Sequence, residues 1–170
     1  VENVGRIRNI VLAALFAAVA VLLSGVHIPA GPIKAFPFQH AVNIVAGVVV
    51  GPWYAALSAL VAAIIRNAVG TGTPFAFPGG IPGGIVVGLV FRWVRKDWAA
   101  FTEPVGTGLI GVSLSVLILG PIMGKQLAFY SLFFLFMVSS IPGTVIGYVL
   151  LKALKRAKAL RLDPLTHPPA

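Results

Sequence analysis

Apolar residues run almost unbroken through six stretches, about Ile7 to Ser24, Gln39 to Val50, Trp53 to Val69, Gly80 to Val94, Val105 to Met123 and Gln126 to Leu154. Short segments rich in glycine, proline and charge separate them. The runs are continuous rather than alternating, which predicts bilayer-crossing helices and not the strands of a barrel. About 20 residues of helix span a hydrocarbon core, so the second and fourth runs are short for a full crossing. They are expected to tilt, to extend into their loops or to be partly broken. Arg6 and Arg8 precede the first run as in a signal peptide, but no small-residue cleavage pattern follows, so this segment is read as a helix. The expected fold class is an all-α membrane protein with six transmembrane helices. Residues 1–155 form the transmembrane domain and residues 156–170 a polar tail.

Composition agrees with this. With 58% hydrophobic and 10% charged residues and a mean hydropathy of +0.98, the chain has too little polar surface to cover a soluble domain. Ten of the 13 Lys and Arg residues fall on one side of the six-helix plan: Arg6, Arg8, Arg92, Arg95, Lys96, Lys152, Lys155, Arg156, Lys158 and Arg161. The positive-inside tendency makes that side cytoplasmic, with both termini there. The net charge of +9 is then a matter of topology and does not call for a nucleic-acid partner. Trp53, Trp93 and Trp98 sit at the same level as interfacial anchors. The chain has no cysteine, which excludes disulfides and thiol chemistry.

Three cations, Lys34, Arg66 and Lys125, fall on the outer side. The four acids, Glu2, Asp97, Glu103 and Asp163, are all expected at the inner side or the termini, where none can pair with these cations. The outer cations can meet lipid phosphate, cap helix C-termini or bind a ligand with acceptor character. The outer segments around them are rich in proline, glycine and phenylalanine, which favours shaped, non-helical backbone. Such backbone is tolerated near membrane depth only where protein covers it or it lines a wet cavity. Phe36, Phe38, Phe75 and Phe77 are candidates to sandwich a flat ring. Lys34, Gln39, His40, Asn43, Arg66, Asn67, Thr71, Thr73, Lys125 and Gln126 are candidates to fix its polar atoms. The same phenylalanines would equally serve as a plug for the outer end of the bundle, and His40 as a structural residue at a helix start. No second histidine stands at ligand spacing, so no metal or cofactor is assigned.

Ala13, Ala14, Ala17 and Ala18 form overlapping small-xxx-small pairs on the first helix, a surface that admits another membrane helix. Gly80, Gly84 and Gly88 make a similar stripe on the fourth helix, as do Ser139, Gly143 and Gly147 on the sixth. For the last two, packing inside the bundle is the preferred reading. No phosphate-binding loop is present, no acid is expected within a span to serve as an ion relay, and no activated nucleophile or carboxylate pair suggests an enzyme. A small bundle with an outer pocket and no energy source of its own fits a capture subunit that borrows a motor.

The segments Lys34–His40, Ala46–Tyr54 and Arg66–Thr73, the last followed by Phe75-Ala76-Phe77-Pro78-Gly79, resemble the ThiW family from about Arg6 to Leu154. Members of that family are the thiazole-specific substrate-binding (S) components of energy-coupling factor (ECF) transporters of prokaryotic plasma membranes. The resemblance implies an S-component bundle, a hydroxyethylthiazole-type thiamine precursor as ligand, and partnership with a membrane T subunit and two ATPase subunits. It also implies docking on the T subunit through Ala13, Ala14, Ala17 and Ala18, and import by toppling of the loaded subunit. A neutral thiazole alcohol does not call for three outer cations, whereas a phosphate or another anionic ligand would use them. An S component for another vitamin-like ligand and an autonomous secondary carrier are the alternatives.

Overall fold

The computed structural model describes residues 2–30 and 33–160. Six helices follow in chain order: α1 (Glu2–Leu22), α2 (Pro37–Val49), α3 (Pro52–Ala68), α4 (Ala76–Val94), α5 (Asp97–Ile122) and α6 (Phe129–Arg156). Among the described residues, the α1 region, α4, α5 and α6 are each long and apolar enough to cross a membrane. The polar tail expected at 156–170 falls largely on residues 161–170, outside those described.

The fourth and fifth helices start earlier than their apolar runs. The fourth helix begins at Ala76 rather than Gly80 and reaches 19 residues, a full span. Pro78 is compatible with this because the first-turn N–H groups of a helix have no intrahelical acceptor to lose. The fifth begins at Asp97 rather than Val105, through a 3-10 stretch over Asp97–Thr102, and carries wider π-helical turns at Val105–Gly111 and Ser115–Leu119.

The second helix stays short, as its run predicts. Its 13 residues cover about 20 Å at 1.5 Å per residue, against a hydrocarbon core of about 30 Å. A helix this short must be surrounded by protein, and nearly all of α2 is buried. Glycines bring its neighbours close. A Cβ on Gly47 of α2 would lie 3.0 Å from the Gly84 carbonyl and 3.1 Å from the Gly88 nitrogen of α4. One on Gly147 of α6 would lie 2.8 Å from Ile44 and 3.1 Å from Ala41 of α2. The stripes on α4 and α6 therefore pack inside the bundle. The core continues through Ile44, Val48, Val87, Phe91 and Leu151.

At one end, Lys152 and Lys155 of α6 pair with Asp97 at the start of α5, and Gly51 between α2 and α3 abuts the Arg92 guanidinium. At the other end, the missing length of α2 is made up by the connection from α1. A 3-10 turn (Leu23–Gly25) leads into a two-stranded antiparallel hairpin, β1 (Ile28–Ala30) and β2 (Ile33–Ala35), with Ile28 opposite Ala35. Pro37 then starts α2 at a position where its fixed φ suits the first helical turn.

Candidate substrate-binding site

A cavity of about 670 Å³ lies at the hairpin end of the bundle, above the short α2. Its walls come from α1, α2, α3, α4 and α6, the α3–α4 connection, and Thr107 of α5. The volume falls in the range of small-molecule pockets, and the mix of apolar wall and a few polar groups is typical of them.

Of the residues singled out in the sequence, Phe36, Gln39, His40, Asn43, Arg66, Thr71, Thr73 and Phe75 line this cavity. Phe38, Asn67 and Phe77 do not line it, although they lie close by in sequence. Asn67 instead ties the α3–α4 connection together, its Nδ2 donating to the carbonyls of Ala63 (2.8 Å) and Thr73 (3.1 Å). Lys125 and Gln126 are exposed in the α5–α6 turn, away from the cavity. The Lys34 side chain lies outside the described residues.

Hydrogen bonds hold the wall in shape. Gln39 Nε2 donates to the Ala20 carbonyl at 2.6 Å and Asn43 Nδ2 to the Gly80 carbonyl at 3.0 Å, tying α2 to α1 and α4. The Phe36 amide donates to Ser139 Oγ at 3.1 Å, anchoring the end of the hairpin to α6. Ser24 and Thr71 hydroxyls meet at 3.2 Å across the mouth. Gly70 at φ +75° turns the chain after α3, so the amides of Thr71 and Gly72 both reach back to the Arg66 carbonyl at 2.9 Å.

The structure overturns one expectation outright. Glu103 does not sit at the inner surface; it is wholly buried. His40 Nδ1 lies 2.7 Å from its Oε1, Thr107 Oγ1 lies 2.6 Å from the same oxygen, and Ser140 Oγ donates to Oε2. Ser140 is near the middle of α6, and Gly83, whose backbone packs against the Glu103 carboxylate, is near the middle of α4. The chain therefore does carry an acid at mid-bundle. The reason is the early start of α5: a 3-10 stretch of six residues rises about 2.0 Å per residue, carrying the chain about 12 Å beyond Asp97 before Glu103 is reached. The i, i+4 pairing of Glu103 with Thr107 was the available signal, legible only once 97–104 is read as helix. Glu103 is not itself on the cavity wall, but His40 and Thr107 are.

His27, Ser24, Ser58, Leu132, Phe136 and Ser139, none of them a binding candidate by sequence, also line the wall. Phe136 meets Phe75 edge-on, with ring centroids 6.5 Å apart. The aromatic pair at this site thus comes from α6 and the α3–α4 connection rather than from neighbouring positions in one loop.

On α1 the alanine stripe divides. Ala13 and Ala17 are buried inside the bundle, Ala17 in a cluster with Ala20, Val42 and Ala62, while Ala14 and Ala18 face outward.

No curated protein matches the chain. Among solved structures, one described as the crystal structure of an S-component of ECF transporter superposes with a TM-score of 0.57 at 20% identity. That match covers 91% of this chain and 84% of that one, and it shows a shared fold. The sequence model of the thiamine-precursor transporter protein family ThiW matches residues 10–157, nearly the whole bundle and every cavity-forming helix, and the chain belongs to that family.

Proposed function

We propose that this multi-pass membrane protein is the substrate-capture subunit of an energy-coupling factor transporter and that its ligand is a thiamine precursor of the hydroxyethylthiazole type. The observation that carries the reading is the cavity of about 670 Å³ set above a helix too short to fill the membrane. It is walled by aromatic rings and fixed amide and hydroxyl groups. A transporter family stands behind it, so the chain is not an enzyme, and the S-component fold supports an ECF assembly.

In this reading Phe36, Phe75 and Phe136 offer faces and edges to a flat ring. His40, Asn43, Ser58, Thr73 and Ser139 surround it with donors and acceptors. Phe38, Asn67 and Phe77 support the site from behind, and Lys34 and Lys125 draw ligands toward the outer face. The hairpin, pinned by Phe36 to Ser139 and bridged by Ser24 to Thr71, acts as the lid. Both termini lie in the cytoplasm. Energy comes from two partner ATPase subunits acting through a membrane T subunit, which docks against α1.

The buried Glu103 removes the argument that no intramembrane acid exists, and with it one ground for setting aside an autonomous carrier. Its two oxygens are nevertheless committed to His40, Thr107 and Ser140, as suits an anchor joining α2, α5 and α6 rather than an open ion relay. Calorimetric titration of the detergent-purified chain with hydroxyethylthiazole, its phosphate and thiamine tests the capture reading. Saturable binding of a thiazole with thiamine excluded is expected. Absence of binding in folded protein overturns the thiazole assignment, and gradient-driven uptake by the chain alone in liposomes overturns the capture role.

A further inference from the structure

Resting on the capture reading, we infer that Arg66 is the specificity-determining residue of the cavity and that the captured precursor carries an oxyanion, a phosphate monoester on its alcohol arm, against this guanidinium.

Arg66 is only 5% exposed, in the last turn of α3. An arginine withdrawn from water normally finds a carboxylate or a set of carbonyls, because five N–H donors left unused are costly. Here the guanidinium has no such partner among the described residues. It lies 4.8 Å from the Phe36 ring centroid, and its Nε is buried without a hydrogen-bond acceptor. The chain packs closely on the root of this side chain: a Cβ on Gly72 would lie 2.9 Å from the Arg66 Cβ.

Carbonyls at the end of α3 already accept from the backbone. The Arg66 carbonyl accepts from Thr71 and Gly72, and the Ile65 carbonyl accepts from Val69. The helix C-terminus favours a cation in general but satisfies none of these donors. On the cavity wall the titratable side chains are His27, His40 and Arg66, and no carboxylate is among the lining residues. Glu103, behind the wall, is engaged by His40, Thr107 and Ser140.

The cavity is thus a neutral to positive chamber holding a permanently charged planar fork with no acceptor of its own. A phosphate monoester matches such a fork with two parallel N–H···O bonds. A neutral alcohol offers one weak acceptor and leaves the charge uncompensated.

The test uses the full chain in detergent, titrated calorimetrically with hydroxyethylthiazole, with its phosphate, and with inorganic phosphate as competitor. The phosphate ester is expected to bind about 10- to 100-fold more tightly than the alcohol, the ratio that one or two charge-assisted hydrogen bonds produce. Inorganic phosphate should compete with the ester. Arg66→Met should bring the ester's affinity down to or below that of the alcohol, and Arg66→Lys should recover part of the difference. Binding of the alcohol as tightly as the ester by the unaltered chain overturns this inference while leaving the capture reading in place. So does a preference for the ester that survives Arg66→Met. Binding of neither compound by folded protein overturns both.

Discussion

Replacing Glu103 with alanine should loosen the bundle at its centre, and the structure sets the size of the effect. The carboxylate has 0% exposure and receives His40 Nδ1, Thr107 Oγ1 and Ser140 Oγ. Thr107 also reaches the Gly79 carbonyl at 2.8 Å, so its single hydrogen has an alternative and its loss is small. Ser140 can turn back to a carbonyl of its own helix. His40 has no such substitute, and one buried donor left unsatisfied costs about 1–3 kcal/mol. Interhelical hydrogen bonds inside membrane proteins average only about 0.6 kcal/mol each, about 1 kcal/mol for the two that cross between helices, from His40 and Ser140. Glu103→Ala should therefore cost about 1–3 kcal/mol. Glu103→Gln should cost less, since it keeps the volume beside Gly83 but can accept on only one side. Denaturant unfolding of the full chain in detergent measures both, and a His40→Ala, Glu103→Ala double-mutant cycle should return a coupling of about 1–3 kcal/mol. An alanine variant within 0.5 kcal/mol of the unaltered chain, or a coupling near zero, would refute the assignment of this network as the link between α2, α5 and α6.

Gly88→Ala places a Cβ 2.6 Å from the Pro52 nitrogen and Cα, backbone that cannot rotate away, and should destabilise the α3–α4 crossing by about 1–3 kcal/mol. Gly84→Ala, whose Cβ would meet the Ala55 Cβ at 3.3 Å, should cost less in the same unfolding assay. The chain lacks cysteine, so single substitutions report topology directly: Lys125→Cys should react with an impermeant maleimide in intact cells and Lys96→Cys only after permeabilisation, and the reverse pattern would invert the orientation. Ala14→Leu with Ala18→Leu should leave ligand binding intact while abolishing co-purification with the T subunit. Ala13→Leu with Ala17→Leu should lower stability instead, since those two alanines are buried within the bundle.

The sequence by itself determined the solvent and the number of helices. These are local consequences of one constraint, because each helix must match the hydrocarbon thickness and satisfy its backbone internally whatever its neighbours are. The shortness of α2 was visible for the same reason, as were Gly80, Gly84 and Gly88 as a packing stripe. The proline-, glycine- and phenylalanine-rich outer segments brought Phe36, Gln39, His40, Arg66 and Thr71 forward as site candidates, and the tertiary structure gathers these five on one cavity. What only the tertiary structure decided is which side chains distant in sequence share an environment. His40 and Glu103 stand 63 positions apart and meet at 2.7 Å; Phe75 finds Phe136; Ala13 and Ala17 turn inward while Ala14 and Ala18 turn out. Such encounters depend on which helices are adjacent, at what rotation and at what depth. A 3-10 stretch at the start of α5 changes that depth by about 12 Å without altering hydrophobic periodicity at all. Local pattern places each helix in the membrane, and packing between helices decides which charges can be buried there.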